Sequence, residues 1–468
     1  MTRIEEIFAL GSADEQIAAL QRKVIELPSW AALLKDYEPR FHHIMEDHVN
    51  RRDKVRKDGT IEPASRISVG LEKLLTKRMS EFMFAIPVKR VYHNIEGNET
   101  RAAIASALER MNKYARIESE NIKRANNYFA ACEIFTLWYL VEGTNSLYGF
   151  NSKYKLKCKT FSPMDGTKLY PYFDDYGDML AISFMYEKKT VDNETVTIFE
   201  TFTADRHVKW SNKSGGWKTM LDERITIGKI PGVYAYRPVP IYHGLSGIRH
   251  EIEYTLSRNS DVVAYNSAPV LKVAGSISGG EDKGESRRIY RVENGGDVSY
   301  VSWSQSIEAL KYHVDTLLKL FWTQSQMPDI SFDTMKSLGN IGYDARQTLL
   351  IDAHLKVGDE SGAWLEFLDR EINVQKAFLK QLNASWASEV DNVEVENIIT
   401  PFIQNDEDAT IDRLVKANGG KAVMSQLESI QNAGYSADAQ ATLEQIQAED
   451  STAQQTRMGN VFGGESAE

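Results

Sequence analysis

Several groups of residues in the chain are of types that could do chemistry. The run His42-His43-Ile44-Met45-Glu46-Asp47-His48 collects three histidines and two acids, the ligand types of a zinc site. Nothing elsewhere completes a ligand set, so the run reads as a helix surface. Asp174, Asp175 and Asp178 look like carboxylates paired for acid–base work, but their setting, YFDDYGDML, reads as a turn before a strand. A phosphate cradle of the GxxxxGK[ST] kind is absent, because Gly228-Lys229 is followed by Ile230 and Gly420-Lys421 by Ala422. There is no HExxH, no GxSxG elbow and no GxGxxG after a strand. Cys132 and Cys158 stand apart, without a CxxC or Cys/His cluster, and read as inert thiols of a reducing compartment. These residues specify no enzyme, no cofactor and no metal.

Charge limits the partners. The net charge is −11, which argues against tight phosphate binding over most of the surface while leaving room for local basic rings. A basic run, Arg51, Arg52, Lys54, Arg56 and Lys57, ends at Asp58-Gly59. It reads first as a solvated loop or helix face, and second as a subunit or DNA contact. No signal peptide is apparent and no apolar run approaches the ~18 residues of a membrane span, so no membrane partner is expected.

The elements that must position these residues follow from periodicity. Residues 1–60 read as an N-terminal helical arm. Ser65–Ile86 reads as one helix with Ile67, Leu71, Leu74, Leu75, Met79, Phe82 and Met83 at spacings of three and four, ended by Pro87. A second helical stretch runs from Glu99 to about Phe135. From Cys158 to Asn212 the period changes to two: AISFMYEKK, TVTIFETFT and HVKWSN are strands of an antiparallel meander. A helix over 244–265 carries Ile248, Ile252, Leu256 and Val263. A second, over 304–326, carries Ile307, Leu310, Val314, Leu317, Leu318 and Phe321. Between them, at 266–303, lie three short strands, the last two joined by Asn294-Gly295-Gly296, a hairpin signal. Two matched helices flanking a small β module form a stalk with a tip. A loop over 327–345, a long helix over 346–388 with Gly358 and Gly362 near its start, a crown region over 389–450 with a strand at 390–402 and helices near 406–417, 420–432 and 436–448, and a disordered tail over 451–468 complete the chain. The fold class is α+β.

At this helix–β–helix–loop segment the chain resembles bacteriophage portal proteins of the siphophage type. SRNSDVVAYNSAPVLKVAG resembles the first stem helix entering the clip, through Ser260, Asp261, Asn266, Pro269, Leu271 and Gly275. MPDISFDTMKSLGNIGYDA resembles the tunnel loop, through Pro328, Asp329, Ser331, Phe332, Gly339, Asn340 and Ala345, although Gly342-Tyr343 stands where many relatives have Ser-Gly. TFSPMDGTKLYPYFDDYGDMLAISFMYEKK looks like the wing sheet. The resemblance covers residues 60–385 and implies an architecture: a wing over 61–243, a stem of two helices, a clip, a tunnel loop and a helical crown. It also implies a ring homo-oligomer, usually a dodecamer, at a capsid vertex of the virion, with double-stranded DNA in its bore. The implied partners are the terminase large subunit during packaging, then the head–tail adaptor, with the major capsid and scaffolding proteins around it.

A wall along which DNA slides needs few phosphate contacts per subunit, since each Lys contact tightens binding through counterion release. Lys336 on the tunnel loop is the expected DNA-facing residue, with Met335, Leu338 and Asn340 beside it; a solvent-exposed loop tip is the plain alternative. Lys283, Arg287, Arg288 and Arg291 form a second, clip set. Arg287 and Arg291 share a strand face and Arg288 takes the other, so they point into the bore or pair with a neighbouring subunit. Lys311 and Lys319 are weaker candidates. Two other classes stay open: a minor capsid or head–tail adaptor protein without a DNA-conducting bore, and a DNA-processing enzyme.

Overall fold

A computed structural model describes residues 4–22, 25–49, 51–213, 215–266, 270–274, 277–282, 288–292, 297–301, 307–329, 348, 350–402, 407–419, 421–436 and 438–462. The chain divides into two compact units, one of residues 1–331 and 351–402, the other of 332–350 and 403–468.

The first unit opens with helices α1 (Ile4–Phe8), α2 (Ala13–Leu20), α3 (Trp30–Tyr37) and α4 (His43–Glu46). They do not form the expected arm. Ile7, Ile17 and Leu20 are buried against Tyr172, Ala181, Phe199, Val208 and Trp210, so α1 and α2 cover one face of a sheet. Nor is the rest of 1–60 helical: strands β1 (Lys54–Val55) and β2 (Ile61–Glu62) make a separate hairpin closed by Asp58 and Gly59, whose φ of +83° suits glycine.

Helix α5 spans Leu71–Phe84, so the helix expected from Ser65 starts six residues late, and Ile67 lies outside it. After β3 (Lys89–His93), the stretch expected as one helix to Phe135 is two, α6 (Glu99–Ala115) and α7 (Ile117–Ala131), broken at Arg116 with φ +56°. A second left-handed residue, Cys132, ends α7, and Phe135 already lies in a strand. Burial pushes the Cys132 and Cys158 thiols up to about 12, which keeps both protonated and unreactive.

The sheet region starts earlier and ends later than its period suggested. Strands β4 (Glu133–Asn145), β5 (Ser152–Phe161) and β11 (Gly232–Tyr236) form one sheet in the order β11-β4-β5. Strands β6 (Lys168–Phe173), β7 (Met179–Lys189), β8 (Thr195–Thr203), β9 (Arg206–Ser211) and β10 (Lys218–Arg224) form a five-stranded meander. Phe199 and Phe202 on β8 are three apart and take opposite faces: Phe199 meets α1 and α2, and Phe202 packs with Phe135, Phe161 and Phe184 towards the three-stranded sheet.

Next come α8 (Ser246–Asn266), the small strands β12 (Val270–Ala274), β13 (Ile277–Asp282), β14 (Arg288–Val292) and β15 (Asp297–Val301), and α9 (Ile307–Ser325). The expected β14–β15 hairpin is not how these strands pair. β13 pairs with β14, and β12 with β15, a nested arrangement that brings the ends of α8 and α9 together. Helix α10 (Ile351–Leu382) runs through Gly358 and Gly362 without interruption. Strand β16 (Glu394–Ile398), which the sequence grouped with the crown, pairs with β3 inside the first unit. The second unit contains α11 (Glu407–Asn418), α12 (Gln426–Ala433) and α13 (Ala439–Phe462). The tail expected to be disordered from 451 is helical to Phe462. The capping box of Ser425 with Glu428 starts α12 and Gly434 ends it.

One buried ion pair locks the platform from which α8 and α9 leave. Arg124 of α7 donates two hydrogen bonds to Glu371 of α10, at 2.7 and 2.8 Å, and Trp138 of β4 donates a third at 3.0 Å. The guanidinium also lies 4.7 Å over the Phe367 ring. Removing one partner leaves the other charge buried and unpaired, so Glu371→Ala is expected to destabilise the first unit by about 3–5 kcal/mol in urea unfolding. The apolar double variant Arg124→Met/Glu371→Leu should recover most of that loss. A double variant no more stable than Glu371→Ala would show that the pair does not act as a unit.

Candidate functional site: the root of the paired helices

Helix α8 is amphipathic, yet the face it turns inward is polar. Arg249, Glu253 and Ser257 are buried, Asp261 is half-buried, and the four recur at every fourth position. Of the apolar stripe read from the sequence, Ile252 is buried, Ile248 and Leu256 are half-buried and Val263 is exposed.

An extended segment, 65–69, runs antiparallel along this ladder. The Ser65 N–H donates to Asp261 Oδ1, Ile67 N–H to Ser257 Oγ and Val69 N–H to Glu253 Oε1, each at 2.9 Å. The match is geometric: two residues of extended chain advance ~6.7 Å and four residues of helix ~6 Å. Those N–H groups are therefore taken by side chains of α8, which is why 65–69 is extended although Ile67 fits a helical period.

At the lower end Arg249 is held by three carboxylates. Its Nε donates to Glu72 Oε1 at 2.7 Å, Nη1 to Glu253 Oε2 at 3.2 Å and Nη2 to Asp36 Oδ1 at 2.7 Å. Burial would lower the Arg249 pKa; Glu72, Glu253 and Asp36 outweigh it and raise it. Glu72 moves upward, because burial outweighs its one contact with Arg249 and its Oε2 has no hydrogen-bond partner. The ring nitrogens of His42 face Glu253 Oε1 at 2.5 Å and the Asp36 carbonyl at 3.0 Å. His42 is thus fully buried at the joint, not on a helix surface as read above.

At the upper end Arg51, first of the basic run, is buried too. Its Nη2 donates to Asp261 Oδ2 at 2.6 Å and to the Ser257 carbonyl at 3.2 Å. Burial would raise the Asp261 carboxyl; the Ser65 N–H and Arg51 outweigh it and hold it below the usual carboxylate range. Asp174 behaves as its turn predicted, accepting from Tyr176 N–H at 2.9 Å and Asp178 N–H at 2.8 Å.

Where α9 ends, a third set of contacts fixes the start of the next segment. The Met327 N–H reaches the Trp322 carbonyl (3.3 Å) and the Gln326 N–H that of Thr323 (3.1 Å). With Gln326 at φ +54° this is a Schellman stop carrying glutamine where glycine is usual. Lys356 of α10 donates to the Ser325 carbonyl at 2.5 Å, capping a helix end where cations are favoured. Arg78 of α5 lies 4.6 Å over the Trp322 ring and 3.9 Å from Asp329 Oδ1.

The pairing of α8 with α9 on a common root, with a β tip between them, is the layout for which the family resemblance was drawn. A family model described as "Phage portal protein, SPP1 Gp6-like" matches residues 23–456. The chain belongs to this phage portal protein family. No curated protein matches the chain. A solved structure titled "Neck of empty GTA particle computed with C6 symmetry" is similar over 92% of this chain and 98% of its own, at 10% identity and a TM-score of 0.44.

In this portal-family chain the residues expected at a tunnel loop, Lys336, Met335, Leu338 and Asn340, lie outside the described residues, as do Lys283 and Arg287, expected in a clip. Arg288 and Arg291 sit on β14, in register with Asp282 and Gly279. Lys311 and Lys319 are exposed on α9. Among the described residues no group of His, Cys, Asp and Glu could hold a metal ion, and no helix is long and apolar enough to cross a membrane. Sequence reasoning missed Arg249, Glu253, Glu72 and Lys356. The available signal was the Arg249/Glu253 pair four apart on a helix whose apolar stripe is thin.

Lys356 gives a test by pH. Burial lowers its pKa from 10.5 to about 8. Between those values the unfolded chain holds a proton that the folded chain has released, so stability from this group rises with pH. Wild type is expected to gain stability relative to Lys356→Met as pH is raised from 7.5 to 9.5, read as urea midpoints. Parallel midpoints across that range would mean the amine is not desolvated as placed.

Proposed function

We propose that the chain is one subunit of a ring at a capsid vertex of the virion, through which double-stranded DNA is packaged, retained and ejected. The observation that carries this reading is the stem. α8 and α9 form an antiparallel pair braced at one end, yet Leu310, Val314, Leu317 and Leu318 of α9 are only half-buried in the single chain, and Val263 and Leu320 are exposed. Apolar surface of this kind on a braced stalk is buried when copies stand side by side. The family supports it, and the acidic balance suits a passage that must not grip phosphates along its length.

In this reading the terminase large subunit and then the head–tail adaptor dock at the β tip, with the major capsid and scaffolding proteins around the wing. The tip strands carry Arg288 and Arg291, and Lys336 follows the anchored Met327–Asp329 segment into the bore. The protein acts structurally, through positioned charge and shape.

Purified protein is expected to run as a large closed oligomer, near twelve copies, in light scattering after size exclusion. Negative-stain views down the axis should show a central hole. A monodisperse monomer under the same conditions would end the ring reading. Within assembled particles, Lys336→Ala should lower DNA retention at raised salt while leaving ring size unchanged. Wild-type retention in that variant would remove Lys336 from the DNA wall.

A further inference from the structure

The hairpin β1–β2 is out of keeping with the rest of the first unit. Val55 and Ile61 stand directly opposite each other and are 73% and 67% exposed. The hairpin pairs with no other strand among the described residues. A lone two-stranded hairpin is marginal in water. Its base is nevertheless held rigidly. Arg51 is tied to Asp261 and Ser257 of α8, and Arg66 donates to the Arg51 carbonyl at 2.6 Å and to Asp53 Oδ1 at 3.0 Å. Around the apolar pair, Arg52, Lys54 and Lys57 are exposed, while Arg56 pairs with Glu62 within the hairpin. A braced ribbon showing an apolar pair inside a basic rim is built for a surface of complementary kind.

Such a surface occurs on the same chain. Tyr312 of α9 is 74% exposed, with Glu308 and Asp315 about one turn to either side. Both acids are exposed, and neither forms an ion pair among the described residues. This ridge lies on the opposite side of α9 from Leu310, Val314, Leu317 and the buried Phe321. The hairpin is rooted on α8 and the ridge lies on α9, so the two are different patches of one chain. A ring needs two different patches of this sort, because its interface is heterologous.

Height agrees as well. His313 Nε2 lies 3.9 Å from Glu251 Oε1, which sets the register of the helix pair. Ser257, six residues further along α8, is then ~9 Å nearer the tip and level with the first turn of α9. The hairpin root and the Glu308–Tyr312 ridge thus stand at one level along the stem, and rotation about a ring axis close to parallel with the stem would bring the root of one copy level with the ridge of the next.

We propose that hairpin 54–62 docks on the next copy of this chain, with Val55 and Ile61 over Tyr312 and the basic rim against Glu308 and Asp315. This rests on the ring reading above. The test uses the full chain, with Val55→Asp/Ile61→Asp set against wild type in mass photometry over a dilution series. Both substituted positions are exposed, and unchanged circular dichroism and urea midpoint would confirm that the fold is kept. The variant is expected to need a protein concentration raised about tenfold or more for half-assembly. A second measurement uses Val55→Cys/Tyr312→Cys with a short bismaleimide, which should give a ladder of covalent multimers that neither single cysteine gives. Rings that persist in the Asp variant at wild-type concentration, with no ladder, would sink the docking and leave the ring reading standing. The same persistence coupled to lost DNA retention would assign the basic run to DNA instead. Wild type that never assembles would overturn both.

Discussion

A guanidinium buried among three carboxylates decides where α8 leaves the rest of the first unit. Arg249, with Glu72, Glu253 and Asp36 around it, is a costly arrangement to desolvate, and a packed apolar joint could be as stable. What charge adds here is register. The contacts along α8 recur every four residues and those along 65–69 every two, so a one-residue slip of the strap would turn its three paired N–H groups away from the helix. A rotation of α8 would break the ladder at all rungs together. An apolar joint tolerates small rotations, and this one does not. The platform beneath it is fixed by the same device, the Arg124–Glu371 pair that joins α7, β4 and α10.

What could be read from sequence followed from local period. Residues 71–84, 246–266 and 307–325 have apolar spacings that a helix satisfies, and β7, β8 and β9 alternate or run apolar between turn signals. The misreadings share a cause: the deciding partner is remote in sequence. Ile67 continues the helical spacing of α5, but its N–H belongs to Ser257, 190 residues away. Phe135 looks like the end of a helix because nothing local announces that Cys132 turns left-handed. Asn294-Gly295-Gly296 is a sound hairpin signal, overridden by the nested pairing of β12 with β15. At the site, the stem was legible as an outline, whereas its joint was not. A helix normally buries its apolar stripe, and α8 buries the polar one.

That inversion bears on assembly. The inward face of α8 is satisfied by ions and backbone donors, and of Ile248, Ile252, Leu256 and Val263 only Ile252 is fully buried in the subunit. Val263 on α8 and Leu320 on α9 are exposed, and four leucine or valine positions of α9 are only half-covered. Burial is worth ~25 cal/mol per Å² of apolar surface, so a neighbour standing against this flank gains a steady increment along the stalk. In the ring proposed above, polar contacts set the angle of α8 and apolar contacts would reward repetition of the stalk.

The stop of α9 carries the argument to the segment beyond it. Glutamine in the left-handed region costs roughly 1 kcal/mol more than glycine would there, and the cost is sustained by the Schellman bonds to Trp322 and Thr323 and by Lys356 on the Ser325 carbonyl. Any load reaching Met327–Asp329 passes first through these contacts and through Arg78. They are directional hydrogen bonds and a cation–π contact, set on the deeply packed Phe321 and Trp322. The stem is therefore held past its last turn, as far as the buried Met327.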